Sequence, residues 1–592
     1  MTTATASHSR IAAAHHAAAA HLLARLKPEG YWEGQLSSSA LSTATAMSAL
    51  AVAGCLEDVP LLAGGAAWLA HTQNSDGGWG DTTDSPSNLA TTLLSLSALV
   101  LTERASGGLP AAAGPARRAA EEYVACHAGA KPEARVAAIR RRYGADRTFA
   151  VPILMNGALA GLVPWPAIPG LPFELAALPR GLYPALRLHV VSYALPALIA
   201  IGVLLARRNP APNPLARALR RALEPMALRK LETLQPRHGG FLEATPLTAF
   251  VAMSLLSLPG EASPVARRCL EFLRASVRAD GSWPIDTNLS VWLTTSATTA
   301  LCAGGSPTGF DAGRTRRWIQ GQQLRVVHPY TGAAPGGWSW THLPGGVPDG
   351  DDTSGAMLAL AAAAGDKDEV TGALRAGAEW LLGLQNKDGG WPTFCRGWGQ
   401  LPFDRSSPDI TAHAIRALRA AAIGRRGAEA LARGMRFLEQ AQRADGAWVP
   451  LWFGNQVAPE QANPVYGTAR VLLALAGQPG GEELARRGIR YLLGAQHADG
   501  GWGGDRSVGA SVEETALATG ALAEWAHLPE ARAAMERGAA VLAERVERGD
   551  WTRPAPIGLY FASLWYSEEL YPVIWTVEAL GRVLAAWGNR GA

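Results

Sequence analysis

Apolar residues in this chain recur at three- and four-residue steps, in runs that stop at one kind of turn. The run AEWLLGLQ ends in QNKDGGWP at residues 385–392, and IRYLLGAQ ends in QHADGGWG at 496–503. A third strong copy, QNSDGGWG, occupies residues 73–80. Weaker copies read PEGYW at 28–32, QPRHGGF at 235–241, RADGSW at 278–283 and RADGAW at 443–448. The periodic run predicts an amphipathic helix, and Asp-Gly-Gly ends it in a turn. A second helix follows after a short loop, as in PDITAHAIRALRAAA and SVEETALATGALAEW. Each repeat, spaced about 40 to 57 residues from the next, is thus a helical hairpin that cannot bury both faces alone and must stack or close on itself. Pairing of Gln with Trp reads as structural: the indole is expected to lie against the Gln at the rim, each supplying a polar partner.

The copies fall in two groups, before about residue 283 and after about residue 338. Between them, GAAPGGWSWTHLPGGVPDG at 332–350 cannot be regular helix. The expected fold is all-α, with two α/α barrels of paired inner and outer helices around a central apolar cavity. The first barrel is expected over residues 30–275 and the second over 276–592, with a helix from residues 1–29 packed on the second.

Length and composition agree with two large domains: 592 residues, 48% of them hydrophobic, exceed what one core organises. The net charge of +4 is small for this length, and no block of Lys and Arg is interleaved with aromatics, so nucleic acid is not an expected partner. Five scattered cysteines, none in a CxxC, exclude a disulfide framework and a zinc site and suit a reducing cytosol. The Ala- and His-rich start reads as a helix, not a signal peptide. Residues 190–206, VVSYALPALIAIGVLLA, fall short of the roughly 20 needed to span a bilayer. They read as a buried core helix or as one dipping into a single leaflet above Arg207 and Arg208.

Candidate chemistry lies where the two groups meet. The irregular stretch ends in Pro348-Asp349-Gly350-Asp351-Asp352-Thr353 and enters a helix. Three carboxylates within four residues read either as a helix cap or as a functional acid. Downstream, Pro408-Asp409-Ile410-Thr411-Ala412-His413 opens another helix with Asp409 and His413 at i, i+4 on one face. That pair is either a satisfied core pair or a His hydrogen-bonded to a carboxylic acid. Crowded carboxyls against an apolar wall are expected to hold one proton near pH 7, which is what protonating an alkene demands.

DGDDT resembles the DxDDT motif of squalene-hopene cyclases and related class II cyclases, and the QxxDGGW copies resemble their QW repeats. The similarity runs from EGYWEGQLSS at 29–38 to LYPVIWTVEALGR at 570–582. The resemblance implies that Asp351 is the proton donor, flanked by Asp349 and Asp352, with His413 and Asp409 behind it polarising the acid. It implies a cavity lined by Trp165, Trp292, Trp340, Phe394, Trp452, Tyr466 and Tyr560; for each, plain core packing is the competing reading. Aromatic faces attract cations without adding to them or taking their protons. The family is monotopic, so the resemblance implies an enzyme on the cytoplasmic face of the membrane, contacting it over residues 171–206. It implies a long apolar isoprenoid substrate, squalene first, with no metal or organic cofactor, and allows a homodimer. A C35 hydrocarbon or a shorter prenyl alcohol is the sister reading, and a non-catalytic lipid- or protein-binding barrel is the reading from another class. Protein prenyltransferase β-subunits share such a barrel but need a zinc site of Asp, Cys and His, and no Asp-x-Cys occurs here. Departures from the family pattern are Gly350 at the motif's variable position, expected to loosen its loop, Ser354 after the threonine, Leu293-Thr294 beside Trp292, and Pro556 at an aromatic position.

Overall fold

The computed structural model describes residues 2–144, 147–178, 195–305, 308–329, 331–365, 368–394, 404–421, 423–559 and 564–588. Helices whose buried residues cover nearly the whole surface sit inside, and amphipathic ones sit outside, as their patterning requires. Helix Val512–Ala523 is buried along its full length and Ala40–Ala53 at twelve of its fourteen residues, so both are inner helices.

Six inner helices form the second ring: Ser290–Ala303, Gly350–Ala362, Pro408–Ala420, Pro464–Leu475, Val512–Ala523 and Tyr571–Gly588. Each packs on the next, and the last returns to the first, so the ring is closed. Helix Thr2–Ala24 packs on Tyr571–Gly588 and Pro529–Arg548 and fills an outer position of this ring. Among the described residues, five helices close the first ring in the same way: Ala40–Ala53, Leu89–Ser106, Arg147–Leu159, Leu195–Arg208 and Thr245–Leu256. The apolar stretch at 190–206 is described only from residue 195 onward, and there it is one of these inner helices, with Ile199, Ala200 and Ile201 fully buried.

Two apolar cores correspond to the two rings. Trp283 belongs to the first core, its indole donating to Leu273 O of the hairpin before it at 2.7 Å, Ile285 belongs to the second, and Val347 returns to the first. The second core also claims residues 11–36 from the start of the chain.

The Gln–Trp repeats work differently from the rim contact expected above. Every repeat tryptophan is fully buried: Trp32, Trp79, Trp283, Trp338, Trp391, Trp448 and Trp502. The Trp391 indole donates to Leu381 O at 2.8 Å, ten residues back in the helix it follows, and its backbone N–H donates to Thr411 Oγ1 on the next inner helix at 3.0 Å. Gln385 bonds elsewhere. Its amide donates to Gly389 O at 2.8 Å and to Ala430 O of the neighbouring outer helix at 2.9 Å. Tryptophan therefore closes its own hairpin onto an inner helix, while glutamine ties consecutive outer helices together. The same bonds reveal a copy hidden by a long insertion: Gln323 donates to Gly336 O and Ala373 O, and the Trp338 indole to Ile319 O.

A small three-stranded antiparallel sheet, Phe453–Asn455, Ile557–Leu559 and Leu564–Tyr566, is set into this all-α frame. It is formed by the extra residues after Trp452 and by the stretch around residues 557–566.

Candidate active site

Asp349 occupies the cap position of helix Gly350–Ala362. Its Oδ1 accepts the backbone N–H of Asp351 at 2.9 Å and of Asp352 at 2.8 Å, leaving the next two carboxyls in the first turn. The cap reading of the acidic cluster is thus correct for Asp349, and it frees Asp351 for another task. Gly350 does not loosen this turn. Its N–H donates to Thr393 O at 2.6 Å, and a Cβ there would stand 2.8 Å from Pro392 O, so glycine permits the close approach. The Ser354 hydroxyl donates back to Gly350 O at 2.6 Å.

Asp351 reaches away from the cap toward helix Pro408–Ala420, where its Oδ1 lies 2.5 Å from His413 Nδ1. The two side chains retain only 14% and 11% of their exposure. Trp292 meets the imidazole edge-on, ring centroids 6.2 Å apart. Asp409 stands on the same helix as His413, the hydrogen bond it accepts comes from the Ser407 hydroxyl, and its Oδ2 is buried with no hydrogen-bond partner.

Burial dominates the electrostatics. It pushes the Asp352 carboxyl well above the usual carboxylate range, with the Asp349 charge adding to it. It raises Asp349 to about 7 against the opposing hydrogen bonds from Asp352. Asp409 is raised to about 6, the Ser407 hydroxyl opposing and the Asp351 charge reinforcing. The His413 imidazole is driven below its ordinary value by burial, although Asp351 favours its charged form. The neutral ring is therefore the stable one next to Asp351.

In front of these acids lies a chamber of about 300 Å³ between the two rings. Asp349, Asp351 and Asp352 face it together with Trp292, Trp340, Phe394 and Trp452. Phe394 bridges the last two tryptophans edge to face, at 6.2 Å from Trp340 and 5.1 Å from Trp452. Among the described residues, no three His, Cys, Asp or Glu side chains are placed to hold a metal ion.

The family models for the squalene-hopene cyclase N-terminal and C-terminal domains match residues 15–251 and 289–585. The chain belongs to the squalene-hopene cyclase family. It is 26% identical over 86% of its length to enfumafungin synthase of Hormonema carpetanum, covering 43% of that protein. It is 25% identical to a probable squalene–hopene cyclase of Sinorhizobium fredii, over 78% of each chain. To copalyl diphosphate synthase of Streptomyces cyslabdanicus it is 28% identical, over 58% of this chain and 57% of that one. The chain thus spans less than half the length of the first of these relatives. This is a class II terpene cyclase family in which the substrate varies.

Two aromatics expected on the chamber wall of this family member are elsewhere. Trp165 is half-buried on the first ring, its indole under the Arg208 guanidinium at 5.3 Å and its carbonyl accepting from Asn209. Tyr466 sits one layer behind the wall, packed on Phe453 at 4.9 Å, with Arg470 over its ring at 5.1 Å. Tyr560 lies outside the described residues. In their place Phe453, Phe250, Tyr566 and Tyr571 face the chamber, as do two further acids, Asp81 and Asp286. Phe453 was signalled by its place beside Trp452, whereas both acids lie in loops outside any motif. Leu293-Thr294 is a packing feature: Leu293 is fully buried, and Thr294 Oγ1 accepts the Trp32 N–H at 2.9 Å, as the threonines of the other repeats do.

Proposed function

We propose that this chain cyclises an uncharged linear polyprenyl substrate by protonating a terminal double bond, with squalene to a polycyclic triterpene as the first reading. The observation that carries it is Asp351, hydrogen-bonded to His413 and facing an aromatic chamber. In this reading the Asp351 carboxyl delivers the proton that the alkene takes, and the imidazole at His413 Nδ1 orients it. The alkene electron pair forms the new C–H bond, and the tertiary cation left behind is attacked by the next double bond in the folded chain. Trp292, Trp340, Phe394 and Trp452 present faces to the successive cations, each worth about 0.5–2 kcal/mol. Asp349 and Asp352 are buried beside the donor. His413 returns the proton after each turnover.

Among the described residues lining the chamber there is no Lys or Arg to pair with a diphosphate, which favours an uncharged chain. A C35 hydrocarbon or a shorter prenyl alcohol meets the same requirement. Incubating the purified protein in detergent with squalene, a C35 polyprene, geranylgeraniol and geranylgeranyl diphosphate, followed by mass analysis, separates these readings. Cyclised product from an uncharged substrate is expected. Turnover of the diphosphate alone would overturn the substrate assignment, and no product from any would favour a binding barrel.

We also propose that the protein works on a membrane surface, which would give it access to so insoluble a substrate. Among the described residues no helix is long and apolar enough to cross one. Helix Pro214–Leu234 instead exposes Leu215, Leu219 and Met226 at 78%, 55% and 46%, close to Arg221, Arg229 and Lys230. Flotation with anionic liposomes is expected, and replacing the three apolar residues with serine is expected to abolish it. Retained flotation would place the contact elsewhere.

A further inference from the structure

Asp286 is a chamber acid that initiation does not use. It stands in the turn before helix Ser290–Ala303 and pairs with Ala244 in an isolated antiparallel bridge, where the two rings meet. Its side chain faces the chamber, and its Oδ1 is enclosed without a hydrogen-bond partner. The Trp340 indole N–H stands by the same carboxyl and, with the backbone N–H groups of Thr287 and Asn288, favours its ionised form, but burial outweighs them. Polar atoms enclosed in this way are costly, so a bare carboxyl oxygen on the wall of an apolar chamber calls for an explanation.

Behind Asp286 the structure continues toward solvent. Glu243, wholly buried, contacts it electrostatically and raises its proton affinity further than burial alone does. Glu243 Oε2 accepts from the Thr287 hydroxyl, one residue along from Asp286, at 3.1 Å. Glu243 Oε1 accepts the Gly345 N–H at 2.7 Å and lies 2.7 Å from His238 Nε2. His238 keeps 31% of its side-chain exposure through its carbon atoms, with both ring nitrogens enclosed just beneath the surface. Leu242 and Glu243 both adopt left-handed backbone, φ 56° and 57°, a conformation that residues with a Cβ avoid. The bonds from Gly345 and Thr287 hold this strained turn in place, with Leu242 in the chamber wall and Glu243 behind it. Asp286, Glu243 and His238 therefore form a file of proton-binding groups from the chamber to the surface.

We propose that Asp286 takes the proton that ends the cyclisation and passes it through Glu243 to His238 and the solvent. In the last step a C–H bond beside the terminal cation breaks. Its electron pair forms a C=C bond, and the proton goes to an Asp286 carboxylate oxygen, then to Glu243, the His238 imidazole and water. Asp351 supplies one proton at the start and this path releases one at the end, so the overall reaction is an isomerisation. A carboxyl this strongly buried holds a proton tightly and needs an exit before the next turnover, which the file supplies. Asp286 is the catalytic base, and Glu243 and His238 act through it.

This inference rests on the cyclase reading and specifies the outcome: the product is an alkene, not an alcohol. The test measures substrate consumption and the alkene-to-alcohol ratio for the unmodified protein, Asp286→Asn, Asp286→Glu and the surface change His238→Gln. The unmodified protein is expected to release mainly alkene. Asp286→Asn is expected to lower the ratio about tenfold or more, as water captures the cation. Asp286→Glu should restore part of the ratio, and His238→Gln should shift it in the same direction as Asp286→Asn. An alcohol as the main product of the unmodified protein, or a ratio unchanged by His238→Gln and by Asp286→Asn where that variant folds, would overturn the proposal. Absence of cyclised product from the unmodified protein would instead overturn the cyclase reading.

Discussion

Three acids in four residues divide their tasks because a helix start points successive side chains in different directions. Asp349 turns back to cap the helix, Asp352 is buried beside it, and Asp351 alone reaches both the chamber and His413. The pairing of Asp351 with His413, 62 residues apart, was legible because each lies in a motif at a helix start. The partner of Asp409 was not: it is the neighbouring Ser407 hydroxyl. Aromatic identity likewise does not say which side of a wall a ring faces: Trp292 and Phe394 reach the chamber, whereas Trp165 and Tyr466 pack elsewhere. At this scale His413→Ala is expected to slow cyclisation about 10- to 100-fold with the product profile unchanged, because the imidazole prepares the donor and does not touch later cations. Phe394→Leu is expected to do the reverse, altering product ratios more than the rate of consumption. Rates and mass profiles measured together check both.

Helical hairpins are held by two separable devices. The buried tryptophan spans its own hairpin: the indole of Trp79 donates to Leu69 O, that of Trp448 to Leu438 O and that of Trp502 to Leu492 O, always ten residues back. The glutamine spans repeats, as Gln496 does in reaching Ala534 O at 3.0 Å. The spacing of these motifs made the helices readable from sequence, except where the insertion between Gln323 and Trp338 broke it. What periodicity could not show was the partner of each polar group, since that partner lies on the next repeat. Gln385→Ala leaves Gly389 O and Ala430 O without their donor and is expected to cost about 1–3 kcal/mol of stability. Trp391→Phe also leaves a void and is expected to cost about 2–4 kcal/mol. Urea unfolding checks the magnitudes, and the product profile is expected to stay unchanged in both.

Closing two rings against each other buries more acids than the chemistry uses. Glu513 and Glu568 are both raised to about 8 by burial, and Asp349 to about 7. Each is protonated in the folded state at a pH where the unfolded chain has released its proton. Their contribution to stability is therefore full at acid pH and is lost as pH rises through about 7 to 8. The lowered histidines, His15 and His413, act in the opposite sense only below their ordinary value near 6.5. Melting temperature is thus expected to fall from about pH 6.5 to about pH 8.5, and Glu568→Gln, a neutral mimic that keeps the acceptor for Leu570 N–H, is expected to flatten that fall. A melting temperature that rises over this range would contradict the assignment of protonated interior carboxyls.

The donor itself can be interrogated by cyclisation in deuterated buffer, comparing the parent protein with Asp351→Asn. An exchangeable carboxylic acid delivers its deuteron to the first carbon it meets, so each cyclised product molecule should carry one deuterium at the end where ring closure began. The amide variant should consume no substrate while melting within a few degrees of the parent. Product lacking that label, or full turnover by the folded amide variant, would contradict Asp351 as the acid that starts the reaction.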